Sequence, residues 1–154
     1  MDMMSPNGHL SYRTRILQER AGGEEIMAAC EEMRDLPCRI ETDPAGGSLR
    51  VIYHEEREGI PSENILEIAE DGEIRILRSD PTYFSQYRFR AGEETSFLLS
   101  TPYGEIPLTV RTDELASEKT PRRIDVRIRY RIADVAGEAH EFFYEILSDG
   151  DLTG

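Results

Sequence analysis

Six residues of this sequence have the types and spacing to do chemistry together: Tyr53, Glu55, Arg78, Tyr87, Tyr130 and Tyr144. Residues two apart on a strand share a face. Glu55 continues the phase of Leu49, Val51 and Tyr53, and Arg78 continues that of Ile74 and Ile76. Both are therefore expected to point inward near strand ends. There they could grip a polar ligand in a barrel mouth. The expected arrangement is that they pair with each other, because an unpaired buried charge is costly. The tyrosines, Tyr83 among them, recur on inward phases. Tyrosine joins an apolar body to a hydroxyl that needs a partner when buried. Several facing into one barrel would line a small-ligand cavity. The alternative is a filled barrel whose hydroxyls bond to Glu55, Arg78, Thr112 and the backbone.

No catalytic residue, metal ligand or cofactor site is assigned. His9 falls in the N-terminal stretch, His54 is out of phase with Tyr53 and faces solvent, and His140 lies near a turn. The spacing of Cys30 and Cys38 matches no zinc or redox motif, and two cysteines make no disulfide framework. Glu55-Glu56 and Asp113-Glu114 are adjacent, so on a strand each pair would point to opposite faces. No glycine-rich loop follows a strand and opens a helix, so nucleotide binding has no support. An enzyme would have to act through residues that the pattern does not single out.

The elements that must position the six residues are strands. From Tyr12 onward, about ten short runs with period-two alternation are separated by turn signals, the pattern of a sandwich or barrel. The clearest run is Arg122 to Ile132. Ile124, Val126, Ile128, Tyr130 and Ile132 occupy one face, with Arg123, Asp125, Arg127, Arg129 and Arg131 on the other. Pairing Ile132 with Phe142 sets Tyr130 against Tyr144 and Arg129 against Glu145. A second hairpin flanks Glu70-Asp71-Gly72. A three-residue loop with a left-handed glycine pairs Ile68 with Ile74, Leu66 with Ile76 and Glu67 with Arg75, whereas a two-residue turn scrambles the faces. Thr101-Pro102-Tyr103-Gly104 forms a further turn. Tyr83, Tyr87 and Phe89 share a face after Pro81. Residues 24–32 have helical spacing at Ile26, Met27, Cys30 and Met33, and Asp113 to Lys119 also suits a helical turn.

The chain has 154 residues, the length of one domain. We expect a flexible N-terminal tail over 1–11, a barrel over 12–148 and a C-terminal tail over 149–154. Acidic residues outnumber basic ones 31 to 18, a formal charge of −13. That balance disfavours nucleic acid and anionic membrane as partners. There is no signal-peptide pattern and no apolar run long enough to span a bilayer, so the expected compartment is the cytoplasm. The arginine stripe Arg123, Arg127, Arg129 and Arg131 is expected to be a solvated, salt-bridged face. An open sheet edge or barrel face would admit a homodimer.

The ordered motifs Tyr53-His54-Glu55, Arg78-Ser79, Phe89-x-x-Gly92, Thr101-Pro102-Tyr103-Gly104, Thr112-x-x-Leu115 and Tyr130-x-Ile132 resemble the YwiB-like family of uncharacterised bacterial proteins. The likeness runs from about Tyr12 to Leu147. Asp80 stands where the family usually has glycine. The resemblance implies an all-β fold, a single antiparallel calycin-like (lipocalin-like) barrel of roughly ten strands with little helix, in which residues 24–32 are strand. It implies no activity. The functional expectations are a module holding a small, partly apolar ligand in the barrel, or an interaction protein with a solid core.

Overall fold

A computed structural model of the chain describes residues 5–19, 25–27, 32–133 and 135–152. It holds eleven strands and, among the described residues, no helix: β1 Gly8–Glu19, β2 Glu25–Met27, β3 Glu32–Thr42, β4 Leu49–Arg57, β5 Ile60–Ile68, β6 Ile74–Ser79, β7 Phe84–Phe89, β8 Glu94–Thr101, β9 Gly104–Thr120, β10 Arg123–Ile132 and β11 Glu138–Ser148. All pairings are antiparallel. Consecutive strands neighbour one another from β3 to β11, and β1 lies between β11 and β3. The register Gly8↔Ser148 through Gln18↔Glu138 closes a ten-stranded barrel, and the short β2 pairs with the far end of β1. Closure gives every strand of the barrel a neighbour on both sides over at least part of its length, so no strand is an edge throughout.

The expected all-β barrel is thus what forms, and its inward phase is the expected one. Ile124, Val126, Ile128 and Tyr130 are buried, as are Leu49, Val51 and Tyr53. The β5–β6 hairpin has the predicted register. Gly72 sits at φ +94°, its N–H donates to the Ala69 carbonyl at 3.0 Å, and its conformation is one that glycine adopts without penalty.

Four local expectations are corrected. First, β1 opens at Gly8, inside the stretch expected to be tail. A Cβ there would lie 2.6 Å from the Leu147 carbonyl oxygen and 2.8 Å from Ile40 Cδ1, so only glycine fits this seam. Second, β10 and β11 pair Ile128 with Phe142 and Tyr130 with His140, a slip of four residues that keeps both faces. The cause is that β10 runs on beside β9 to Ile132↔Val110 while β11 begins beside β1, so no tight turn forms at Ala136-Gly137. Third, Asp113 to Lys119 is strand rather than helical turn. The register shifts between Arg129 and Tyr130, which pair with Glu114 and Thr112 and leave Asp113 as a bulge. Fourth, Tyr83 is 48% exposed. The Asp80 carboxylate accepts the Thr82 and Tyr83 N–H groups, holding Tyr83 in the turn before β7. Within residues 24–32, Glu25–Met27 and Glu32 are strand; Cys30 lies outside the described residues.

The barrel wall parts at one place. β3 pairs with β4 only over Arg39–Thr42 against Leu49–Ile52. Beyond that, Glu32–Cys38 belongs to β1 alone and Tyr53–Arg57 to β5 alone, which opens the end where the six candidate residues were expected.

Candidate functional site

Cross-strand rows explain how the interior changes from one end to the other. The first row, Leu49, Ile68, Ile74 and Phe89, is wholly apolar and buried. The second, Val51, Leu66, Ile76 and Tyr87, adds one hydroxyl. The third is Tyr53, Asn64, Arg78 and Ser85, and every member is polar. Glu55 and Ser62 follow at the rim. Each strand from β4 to β7 thus runs from apolar to polar in the same direction. Such a row is accommodated where its polar groups find partners in the protein, in water or in a ligand.

Across the lumen stand the tyrosines of β10 and β11. Tyr53 and Tyr144 share a hydrogen bond, as do Tyr87 and Tyr130. Tyr130 also stacks on His140 at 5.0 Å and on Phe142 at 5.6 Å. Tyr87 stacks on Phe97 at 4.1 Å. Burial is the largest influence on all four phenols and pushes each above the ordinary tyrosine range. They are neutral donors and acceptors at physiological pH.

Glu55 and Arg78 do not pair with each other. The Glu55 carboxylate, buried at the gap, accepts a hydrogen bond from Tyr12 Oη at 2.7 Å and lies 3.5 Å from Arg57 Nη2 and 3.9 Å from Arg34 Nε. Arg57 Nη2 also donates to Tyr12 Oη at 2.7 Å. The nearest carboxylate to Arg78 is instead Asp80, at 4.0 Å. The sequence reading missed these partners because Tyr12 and Arg34 come from β1 and β3, reached across the gap in the wall. The available signal was the alternation Leu10, Tyr12, Thr14, Ile16, which puts Tyr12 on an inward phase.

All six candidate residues line one cavity of about 320 Å³ at this end of the barrel. Tyr12, Asn64, Ile76, Ser85, His140 and Phe142 are among the residues completing it. A second, larger groove of about 570 Å³ lies on the outer wall beside Phe143. There the guanidinium carbons of Arg13, Arg15 and Arg127 lie 4.6, 5.4 and 5.5 Å from the Phe143 ring centre. The rest of the arginine stripe is salt-bridged as expected, though Arg129 meets Glu141 rather than Glu145. His54 faces solvent beside Glu63, and His9 lies on β1 rather than in a tail. Among the described residues no group of three or more His, Cys, Asp or Glu is placed to hold a metal ion. Among the described residues there is no helix long and apolar enough to cross a membrane.

Fold and interior together define a closed antiparallel β-barrel, consistent with a calycin-like build, with an aliphatic end and a polar, tyrosine-lined end. Residues 38–146 match the family described as a domain of unknown function, DUF1934. The chain belongs to that family. Its fold is similar to the crystal structure of the ywiB protein from Bacillus subtilis, at 17% identity, with a TM-score of 0.66 and 92% of each chain covered. The resemblance of its motifs to the YwiB-like family is borne out. No curated protein matches the chain.

Proposed function

We propose that this protein is a binding module that holds a small, partly apolar ligand inside its barrel. The observation carrying this reading is the cavity of about 320 Å³ lined by Tyr53, Tyr87, Tyr130 and Tyr144 together with Glu55 and Arg78. Its size falls within the span of small-molecule pockets, roughly 300–1,000 Å³. Its walls join aromatic faces to a few convergent polar groups, the composition that fixes a ligand's orientation. Native mass spectrometry of freshly purified protein tests it. A stoichiometric, non-covalent adduct is expected, and it should be lost when Ile76→Trp fills the cavity. A bare 17.6 kDa chain from every preparation would speak against the reading.

A second reading, a protein-interaction module, draws on the outer groove. Met33 is 70% exposed there, and Phe143 presents an aromatic face among three arginines. Under this reading two copies associate through that wall. Light scattering at tens of micromolar would then give twice the monomer mass, and Phe143→Ala would return the monomer. The cytoplasm is the compartment we propose under either reading.

A further inference from the structure

We infer that the ligand is a small organic acid, its carboxylate seated on Arg78 and its flat apolar body directed at Ile76, Tyr87 and Phe142. This rests on the cavity reading proposed above and adds the chemical class.

The charged groups lining the cavity are Arg15, Arg57, Arg78, Glu55 and Glu141. Both carboxylates are engaged within the protein. Glu55 has Tyr12, Arg57 and Arg34. Glu141 accepts from Arg15 Nε at 3.1 Å, Arg15 Nη2 at 2.5 Å and Arg129 Nη1 at 3.1 Å. Arg15 and Arg57 are thereby committed as well. Arg78 differs. Its contact with Asp80 is long, at 4.0 Å, and the other oxygen of Asp80 is occupied by the Thr82 and Tyr83 N–H groups. A guanidinium presents a planar fork of donors that matches a carboxylate's two oxygens. Arg78 presents that fork between Asn64 on β5 and Ser85 on β7, its direct cross-strand partners, which add amide and hydroxyl groups beside it. The lining groups therefore sum to a positive charge inside a chain whose net charge is −13. A hydrocarbon would leave the Arg78 fork without an acceptor, a neutral carbonyl or hydroxyl would offer it one uncharged oxygen where a carboxylate offers two charged ones, and a cation would be repelled by it. One residue deeper on the same face are Ile76 and its partner Tyr87, so the receptor for charge and the receptor for apolar surface are adjacent.

Matched probe pairs test the inference by calorimetry at low ionic strength: phenylpropionate against phenylpropanol, and phenylbutyrate against phenylbutanol. Each acid should bind about tenfold to a hundredfold more tightly than its alcohol, as a charge-assisted bond formed in a partly enclosed site allows. Arg78→Met should abolish that preference while leaving alcohol affinity in place, and Arg78→Lys should keep part of it. Ile76→Trp should abolish binding of acid and alcohol together. Should Arg78→Met fail to fold, the Arg78→Lys result and the loss of preference with added salt decide in its place. Equal affinity for acid and alcohol, or a preference that survives Arg78→Met, overturns the assignment of an acid and leaves the cavity reading standing. Binding of neither member, by a protein that also purifies bare, overturns both.

Discussion

Glu73 offers the sharpest test of how charge is handled in this barrel. It is 2% exposed, yet its carboxylate receives Arg75 Nε at 2.6 Å, Arg88 Nη2 at 2.8 Å and Arg90 Nε at 2.8 Å. Burial alone would raise its pKa. The three guanidinium hydrogen bonds outweigh burial and bring it down from 4.5 to about 2. By proton linkage such a displacement corresponds to about 3 kcal/mol of stability. The arginine side chains are 44, 41 and 37% exposed, so solvent screens part of that. We expect about 2 kcal/mol to be realised. A depressed carboxylate stabilises the fold above its unfolded pKa, and the contribution disappears as pH falls through the folded one. Glu73 should therefore contribute fully above about pH 4.5 and lose its contribution toward pH 2. Urea melts of the wild type and Glu73→Gln, from neutral pH downward, isolate it from the other carboxylates. The variant should be about 2 kcal/mol less stable at neutral pH, with the gap closing below about pH 4.5. A gap that stays constant down to about pH 3 would refute the argument, because a packing defect, unlike a lost ion cluster, does not titrate.

Three further outcomes follow from other parts of the molecule. Glu55→Ala removes the acceptor of Tyr12 and the counter-charge of Arg34 and Arg57, and should cost about 1–3 kcal/mol in urea melts, whereas Arg78→Ala should stay within about 1 kcal/mol of wild type. Gly8→Ala forces a Cβ onto the Leu147 carbonyl at the closing seam and should cost about 1–3 kcal/mol, read as a lowered thermal midpoint. Absorbance titration of the phenols should leave Tyr53, Tyr87, Tyr130 and Tyr144 protonated above the ordinary tyrosine range. Because each folded value is raised, stability should be intact below about pH 10 and fall above it, with their ionisation coinciding with unfolding.

Face was legible in the sequence wherever one neighbour decides it, and register was not wherever two neighbours compete. Ile68↔Ile74 and Leu66↔Ile76 follow from a short loop whose glycine admits one register. The β10–β11 faces follow from alternation, but their alignment depends on how far β10 stays with β9 and β11 with β1, which no local pattern encodes. The bulge at Asp113 moves the inward phase from Val110 and Thr112 to Leu115, and that break in period two is what made a strand resemble a helical turn. The six cavity residues were legible because each lies in phase with an apolar neighbour on its own strand. The partners of Glu55 were not, since Tyr12 and Arg34 reach it through a gap that exists only once the barrel has closed.

The gradient along β4 to β7 bears on whether this interior is built for stability or for binding. The first row shows what stability alone selects here: Leu49, Ile68, Ile74 and Phe89, all buried. Nothing in the backbone prevents the third row from being filled the same way, since its strands and pairings are equally regular. Replacing buried polar networks with well-packed apolar side chains is often neutral or stabilising. Four polar residues side by side, with paired phenols facing them, therefore represent stability forgone at one end only. Proteins depart from their own folding rules in this way at sites that serve something else. The wall parts at the same end, where β3 and β4 separate and give a route inward. If the polar row served folding, Asn64→Leu and Ser85→Ala together should lower stability. If it serves a ligand, the pair should leave the melt unchanged or raise it, and weaken retention of a phenylalkanoate.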